Sequence, residues 1–247
     1  FHNIASRITG WEGYFSYFAT KRLIRFIDDY NPDVVHLRNI HGHFLNLPLL
    51  FKYLADKQYP VIQNLHDCWA FTGKCAYYTT IGCYKWQTEC GNCPKLKEYP
   101  QSLFFDHTKK LKDDKEKWYG SLDKLYVVGV SDWTKEEAEK SFLGKEAKSV
   151  QRIYNWINQD VFKPYGEIDN QTREKYGIPN DKYVIIGVSA NWNHGTPRYE
   201  DFMKLSQMLN DDEVLVLVGK ADKEFENKSI KHIEFVSDTR ELAQLYS

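Results

Sequence analysis

Four of the five cysteines lie close together in the chain, and their spacing is typical of a metal site. They are Cys75, Cys83, Cys90 and Cys93, in the pattern C-x7-C-x6-C-x2-C. The C-x2-C pair is the turn of structural zinc sites, and four thiolates complete the tetrahedral set that zinc prefers. The segment around them, residues 68–100, has few apolar residues to form a core of its own, so it needs a crosslink such as a bound metal ion or disulfides. Zinc, disulfides and free thiols are the alternatives, and the clustering favours zinc.

Histidines, an aspartate and an amide follow two apolar runs that read as buried strands. His66 and Asp67 come directly after "VIQNL", and Asn39 and His41 follow "VVHL". A histidine titrates near neutral pH and can hydrogen-bond a sugar hydroxyl or a phosphate oxygen. We therefore predict a catalytic role for His66. Asp67 could orient His66, or it could only cap the following loop.

The loop after "VVHL" is rich in histidine, which raises the question of a second metal site. His36, His41 and His43 could bind a metal, but no Cys or acidic residue accompanies them at close spacing. We expect Asn39 and His41 to contact an acceptor molecule, with a purely structural role as the equal alternative. Trp69 is expected to join them, while Cys68 is expected to be a small buried residue.

Three residues further along the chain are candidates for binding an anionic ligand. Ser131 ends one apolar run and begins a helix, whose N-terminus could receive an anion, although helix capping alone explains a serine there. Asn155 lies in "YNWIN" after another apolar run, where an Asx turn is the alternative. Arg198, in the segment "SANWNHGTPRYEDF", is a cation that could bind an anionic ligand.

Apolar runs that alternate with helical patterns must position these residues. Strands followed by helices predict βαβ units and parallel sheets, in which ligands bind beyond the carboxyl ends of the strands. A polar segment with Gly and Pro, "EIDNQTREKYGIPNDK", predicts a connection between two such units, with the break between residues 162 and 182. The predicted fold is therefore α/β with two Rossmann-like domains, residues 1–163 and 164–247, facing a cleft.

The overall composition excludes some classes of partner. The formal net charge of the 247 residues is -1, which gives no electrostatic reason to expect nucleic acid. No run approaches the ~18 apolar residues of a membrane span. The chain begins with Phe1, and "DTRELAQLYS" at its end reads as a helix without a stop signal. We therefore expect a piece of a longer protein.

Five segments together resemble a known family. They are "NPDVVHLRNIHGHFLN", "LHDCWAFTGKCAYY", "GCYKWQTECGNCPKLKEYP", "VGVSDWTKEEAEKS" and "IYNWINQDVFKP". In this order they resemble the family-4 glycosyltransferases of the GT-B fold, and within them the bacterial exopolysaccharide and capsule enzymes of the colanic acid transferase type. The family's N-terminal Gly-rich loop is not in this chain, and its paired-glutamate segment would follow Ser247.

The resemblance implies a function and assigns roles to the candidate residues. It implies a retaining hexosyltransferase that uses a nucleotide-diphosphate-sugar donor and no catalytic metal. The acceptor would be a glycan or a polyprenyl-linked sugar, bound by residues 1–163, and the donor would bind residues 164–247. His66 matches the family's active-site histidine. Asn155 falls in the family's Asn-Gly-hydrophobic-Asp motif, although Trp156 replaces its glycine. Arg198 lies in the segment where the family has a diphosphate-binding cation, so the resemblance assigns Ser131, Asn155 and Arg198 to the donor.

The resemblance also bears on location and on the cysteines. It implies a cytoplasmic protein, with peripheral contact at the inner face of the membrane, and in that reducing compartment structural zinc is expected rather than disulfides. Two other functions stay open. They are a non-catalytic glycan-binding module of GT-B type and a GT-B sugar-nucleotide epimerase.

Overall fold

The computed structural model describes residues 2–165 and 170–247, and the chain divides into two compact units, Phe1–Asn155 and Trp156–Ser247. The division predicted after residue 163 lies a few residues beyond this boundary. The connection predicted between residues 162 and 182 falls partly outside the described residues. Each unit is an α/β layer structure with its own parallel sheet, so the predicted fold class, two Rossmann-like domains, is confirmed.

The first unit is built on a parallel sheet whose strands lie side by side in chain order. The strands are β1 (Val35–Leu37), β2 (Val61–Leu65), β3 (Leu125–Gly129) and β4 (Ser149–Arg152). Burial alternates along β2, where Val61, Gln63 and Leu65 are buried. The Tyr119 hydroxyl donates to the Gln63 amide oxygen at 2.7 Å, which satisfies the one polar side chain among these three.

The helices of the first unit begin and end at residues that the sequence marks. They are α1 (His2–Thr9), α2 (Tyr17–Tyr30), α3 (Leu47–Lys57), α4 (Thr108–Gly120), α5 (Asp132–Lys140) and α6 (Phe142–Glu146). Asn31 ends α2 in a left-handed conformation with φ 49°, as its place before a proline suggests. Helices α1 and α6 are short, with eight and five residues.

The second unit also contains a parallel sheet, with the order β5-β6-β7. Its elements are α7 (Asn170–Lys175), β5 (Tyr183–Trp192), α8 (Pro197–Gln207), β6 (Glu213–Ala221), β7 (Ile230–Ile233) and α9 (Thr239–Leu245). The last strand, β7, begins at Ile230 directly after a turn. Asn227 accepts a hydrogen bond from the Ser229 amide and turns the chain, so that Ile230 pairs with Leu215 of β6.

Candidate active site

The predicted catalytic and acceptor residues come together at the carboxyl ends of β1 and β2. These adjacent strands pair from Val35–Val61 to Leu37–Gln63, so the loops that follow them leave the same edge of the sheet. One pocket at that edge is lined by residues 38–41, 63–67, 69 and 70. It therefore includes Asn39, His41, His66, Asp67 and Trp69, all of which the sequence had singled out.

His66 is hydrogen-bonded to an arginine that the sequence analysis missed. Its Nε2 atom lies 3.2 Å from Nε and 2.9 Å from Nη2 of Arg38, the residue that follows β1. A guanidinium only donates hydrogen bonds, so Nε2 of His66 is the acceptor and Nδ1 carries the hydrogen. Burial, followed by the positive charge of Arg38, lowers the pKa of His66. His66 is therefore a neutral imidazole whose Nδ1–H is the group that can donate.

Asp67 is hydrogen-bonded to His41 and to its own loop, whereas His66 is held by Arg38. One carboxylate oxygen of Asp67 lies 2.9 Å from Nε2 of His41, and the other accepts the Trp69 amide at 2.9 Å. The Asp67 and His41 side chains are only 10% and 11% exposed. Of the two roles left open for Asp67, the structure shows the loop cap, and it adds a buried carboxylate–imidazole pair.

Tyr99 completes this group from the far end of the 68–100 segment. Its hydroxyl lies 2.9 Å from Nδ1 of His41. Burial, then the carboxylates of Glu12 and Asp67, raises the pKa of Tyr99, so it stays a phenol at neutral pH. No sequence pattern marks Tyr99, because its partner is 58 residues away.

Trp69 lies buried beneath the site and does not offer an exposed ring to a ligand. It is 2% exposed, its indole N–H donates to Glu12 at 3.0 Å, and the Lys115 amine lies 3.4 Å from the ring centroid. Little of the ring is left for an acceptor, so Trp69 acts through the residues that it supports. Burial lowers the pKa of Lys115 to about 7, and Lys115 is a third residue, after Arg38 and Tyr99, that the sequence did not indicate.

The remaining candidates do not join this pocket. Ser131 is the N-cap of α5, and both its hydroxyl and its backbone N–H are bonded to Thr134 in a capping box. Asn155 is the last residue of the first unit and is exposed. Arg198 belongs to the second unit, where it is exposed on α8 and donates to the Ser189 hydroxyl at 2.6 Å.

The four clustered cysteines line one pocket and are free thiols. The Cys75 and Cys93 thiols are hydrogen-bonded, and backbone N–H groups of Gly73 and Lys95 point to the sulfurs of Cys90 and Cys93. Across residues 2–165 and 170–247, however, no group of three or more His, Cys, Asp or Glu side chains is disposed to hold a metal ion. The arrangement thus gives the zinc prediction no support, and zinc stays a prediction from spacing. Cys68 is fully buried.

The histidines in and after β1 have different surroundings. His41 is hydrogen-bonded to Asp67 and Tyr99, whereas His36 is an exposed residue within β1. Burial lowers the pKa of His43.

In the described part of the chain no helix is long and apolar enough to cross a membrane.

Comparison with known proteins finds a curated relative and several similar solved structures. A stretch of 74 residues, 28% of this chain and 18% of the relative, is 35% identical to the putative colanic acid biosynthesis glycosyl transferase WcaC of Escherichia coli. The crystal structure of HepE from Anabaena in complex with UDP matches 92% of this chain with a TM-score of 0.52 and 13% identity. The chain spans about half of HepE (53%) and less of WcaC. No protein-family model matches.

Proposed function

We propose that the protein is a retaining glycosyltransferase of bacterial surface polysaccharide biosynthesis. It would move a hexose from a nucleotide-diphosphate sugar to a glycan or polyprenyl-linked acceptor. The observation that carries the proposal is the 35% identity with a putative colanic acid transferase, in a chain whose fold matches a UDP-bound protein. The reaction would take place in the cytoplasm or at the inner face of the membrane, where nucleotide sugars are available.

The geometry at the ends of β1 and β2 fits this chemistry. When the bond between sugar and diphosphate breaks, negative charge develops on the leaving group, and catalysis requires fixed donors aimed at that charge. The Nδ1–H of His66, whose imidazole Arg38 holds in one tautomer, is such a donor. In this proposal Asn39 and His41 face the acceptor, while Asn155, Arg198 and the α5 end at Ser131 contact the donor.

The test uses the full-length protein with a panel of nucleotide-diphosphate sugars and a polyprenyl-linked glycan acceptor. Transfer is measured by mass spectrometry of the lipid product, and the anomeric configuration is read by NMR. His66→Ala should reduce turnover by ~100- to 1,000-fold if its N–H faces the developing charge, with little change in melting temperature. Binding of UDP without transfer from any donor would favour the non-catalytic module instead.

The cysteine pocket is a separate part of the proposal. The cysteine spacing alone predicts four thiolates around one structural zinc ion, with S–Zn distances of about 2.3 Å, whereas the described side chains form no such group. Elemental analysis of protein purified without added metal tests whether the four cysteines bind zinc. One zinc per chain supports the site, and its absence with four titratable thiols shows free cysteines.

A further inference from the structure

Tyr99 is placed where an acceptor could reach it. It is the residue before the cis Tyr99–Pro100 bond, is 59% exposed, and its hydroxyl touches a buried pair at the edge of the pocket. A hydrogen bond at such an exposed position contributes little to stability. The hydrogen bond between Tyr99 and His41 therefore calls for an explanation other than stabilisation of the loop.

The hydrogen bonds around Tyr99 have one consistent direction. The Asp67 carboxylate accepts from Nε2–H of His41, and it is fixed in turn by the Trp69 amide. Nδ1 of His41 then bears a lone pair and accepts the Tyr99 O–H. A buried carboxylate thus prepares an imidazole to take a proton from an exposed phenol, in the manner of an aspartate–histidine–hydroxyl relay.

The other imidazole of the pocket cannot do this work. The basic nitrogen of His66 already accepts from Arg38, so His66 presents only a donor. The two histidines therefore differ in role, although both line the same pocket. His66 can stabilise negative charge, and His41 can receive a proton.

We propose that Tyr99 is a catalytic residue that takes the proton from the attacking hydroxyl of the acceptor and passes its own proton to His41. The acceptor oxygen bonds to the sugar carbon on the face from which the diphosphate departs, so the configuration is retained. The bond between this carbon and the phosphate oxygen breaks, and its electron pair leaves with the diphosphate. The acceptor proton moves to Tyr99, the Tyr99 proton moves to Nδ1 of His41, and Asp67 stabilises the imidazolium. This inference rests on the proposed glycosyl transfer.

The kinetic test compares Tyr99→Phe, His41→Gln and the double variant in the full-length protein. Each single variant should lower kcat about 100-fold or more, the lower part of the range for a lost general base. The double variant should be no slower than either single one, because both changes break the same path. Tyr77→Phe is the matched control, since Tyr77 is equally exposed in the same segment, and its turnover should equal that of the parent.

The pH dependence separates a proton path from a structural tie. The shape of the parent's pH–rate profile should change in both Tyr99→Phe and His41→Gln if the two side chains share a proton path, whereas a purely structural contact would leave that shape unchanged. The charged and titratable groups around His41 are Asp67, Tyr99, Glu12 and His43. The His41→Gln variant keeps all four of these side chains. UDP affinity, measured by calorimetry, should stay within about twofold of the parent.

¹⁵N NMR of the unliganded protein shows which nitrogen of His41 carries the hydrogen, and so tests the direction of the hydrogen bonds in the relay. His41 should be the Nε2–H tautomer, and finding hydrogen on Nδ1 would overturn the relay. Transfer by the parent together with near-parent turnover of Tyr99→Phe overturns this inference alone. Failure of the parent to transfer sugar from any donor overturns the proposed function and this inference with it.

Discussion

Replacing Lys115 by methionine should show how the segment after β2 is held under the site. The Lys115 amine is buried beneath this segment and donates to the backbone carbonyls of Trp69, Thr72 and Gly73 at 2.7, 3.0 and 3.5 Å. Methionine has nearly the same length and volume, so Lys115→Met leaves no large cavity. What it removes is the donor.

The expected loss follows from the carbonyls that are left without a partner. A buried acceptor without a hydrogen bond costs ~1–3 kcal/mol, and two of the three contacts are short. The loss of the contact with the Trp69 ring adds to this cost, and the relief of burying an amine offsets part of it. We expect Lys115→Met to lower the free energy of unfolding by about 3 kcal/mol, or ~6–12 °C in melting temperature.

The pH dependence adds a second measurement with a defined sign. The pKa of Lys115 is about 7 in the folded protein and 10.5 in an unfolded chain. Between these values the unfolded state binds more protons, so the amine makes the folded state more stable as pH rises, by at most ~1.4 kcal/mol per pH unit. The difference in stability between parent and Lys115→Met should therefore grow from pH 7 to pH 9.

Urea unfolding followed by tryptophan fluorescence measures both effects. Lys117→Met is the control, because Lys117 is an exposed residue of the same helix, and it should change stability by less than about 0.5 kcal/mol. A Lys115→Met protein as stable as this control, with no pH-dependent difference from the parent, would refute the reasoning.

Three other substitutions test the elements around the site. Gly129→Ala should destabilise the first unit by ~1–3 kcal/mol, since the added Cβ would lie 2.6 Å from the backbone of α5. Gly120→Ala is the control and should be tolerated, because its Cβ would meet only a flexible carboxylate. Equal melting temperatures of the two variants would contradict this prediction. Ser131→Ala should cost about 1 kcal/mol through loss of the α5 cap, with Ser131→Thr restoring most of it in thermal unfolding. Arg38→Gln removes a positive charge that opposes the imidazolium, so the pKa of His66 should rise in an NMR titration, and an unchanged value would show that Arg38 does not set it.

The sequence by itself determined the elements and the place of the site. Apolar runs alternating with helical patterns predicted β1 to β6 and the parallel sheets, because the period of buried residues is a local property of the chain. The turn at Asn31 and the cap at Ser131 are equally local. Since ligands bind beyond the carboxyl ends of parallel strands, these elements were enough to bring His41 and His66 to one edge of the sheet.

The tertiary structure alone decided which group each side chain contacts. Asp67 follows His66 in the chain, yet its partner is His41, and His66 is held by Arg38 across the two strand ends. Neither Tyr99 nor Lys115 stood out in the sequence, where an exposed tyrosine and a helix lysine are ordinary residues. Their roles arise because folding brings them against groups 58 and 46 residues away, and such pairings depend on the path of the whole unit, which no local pattern records.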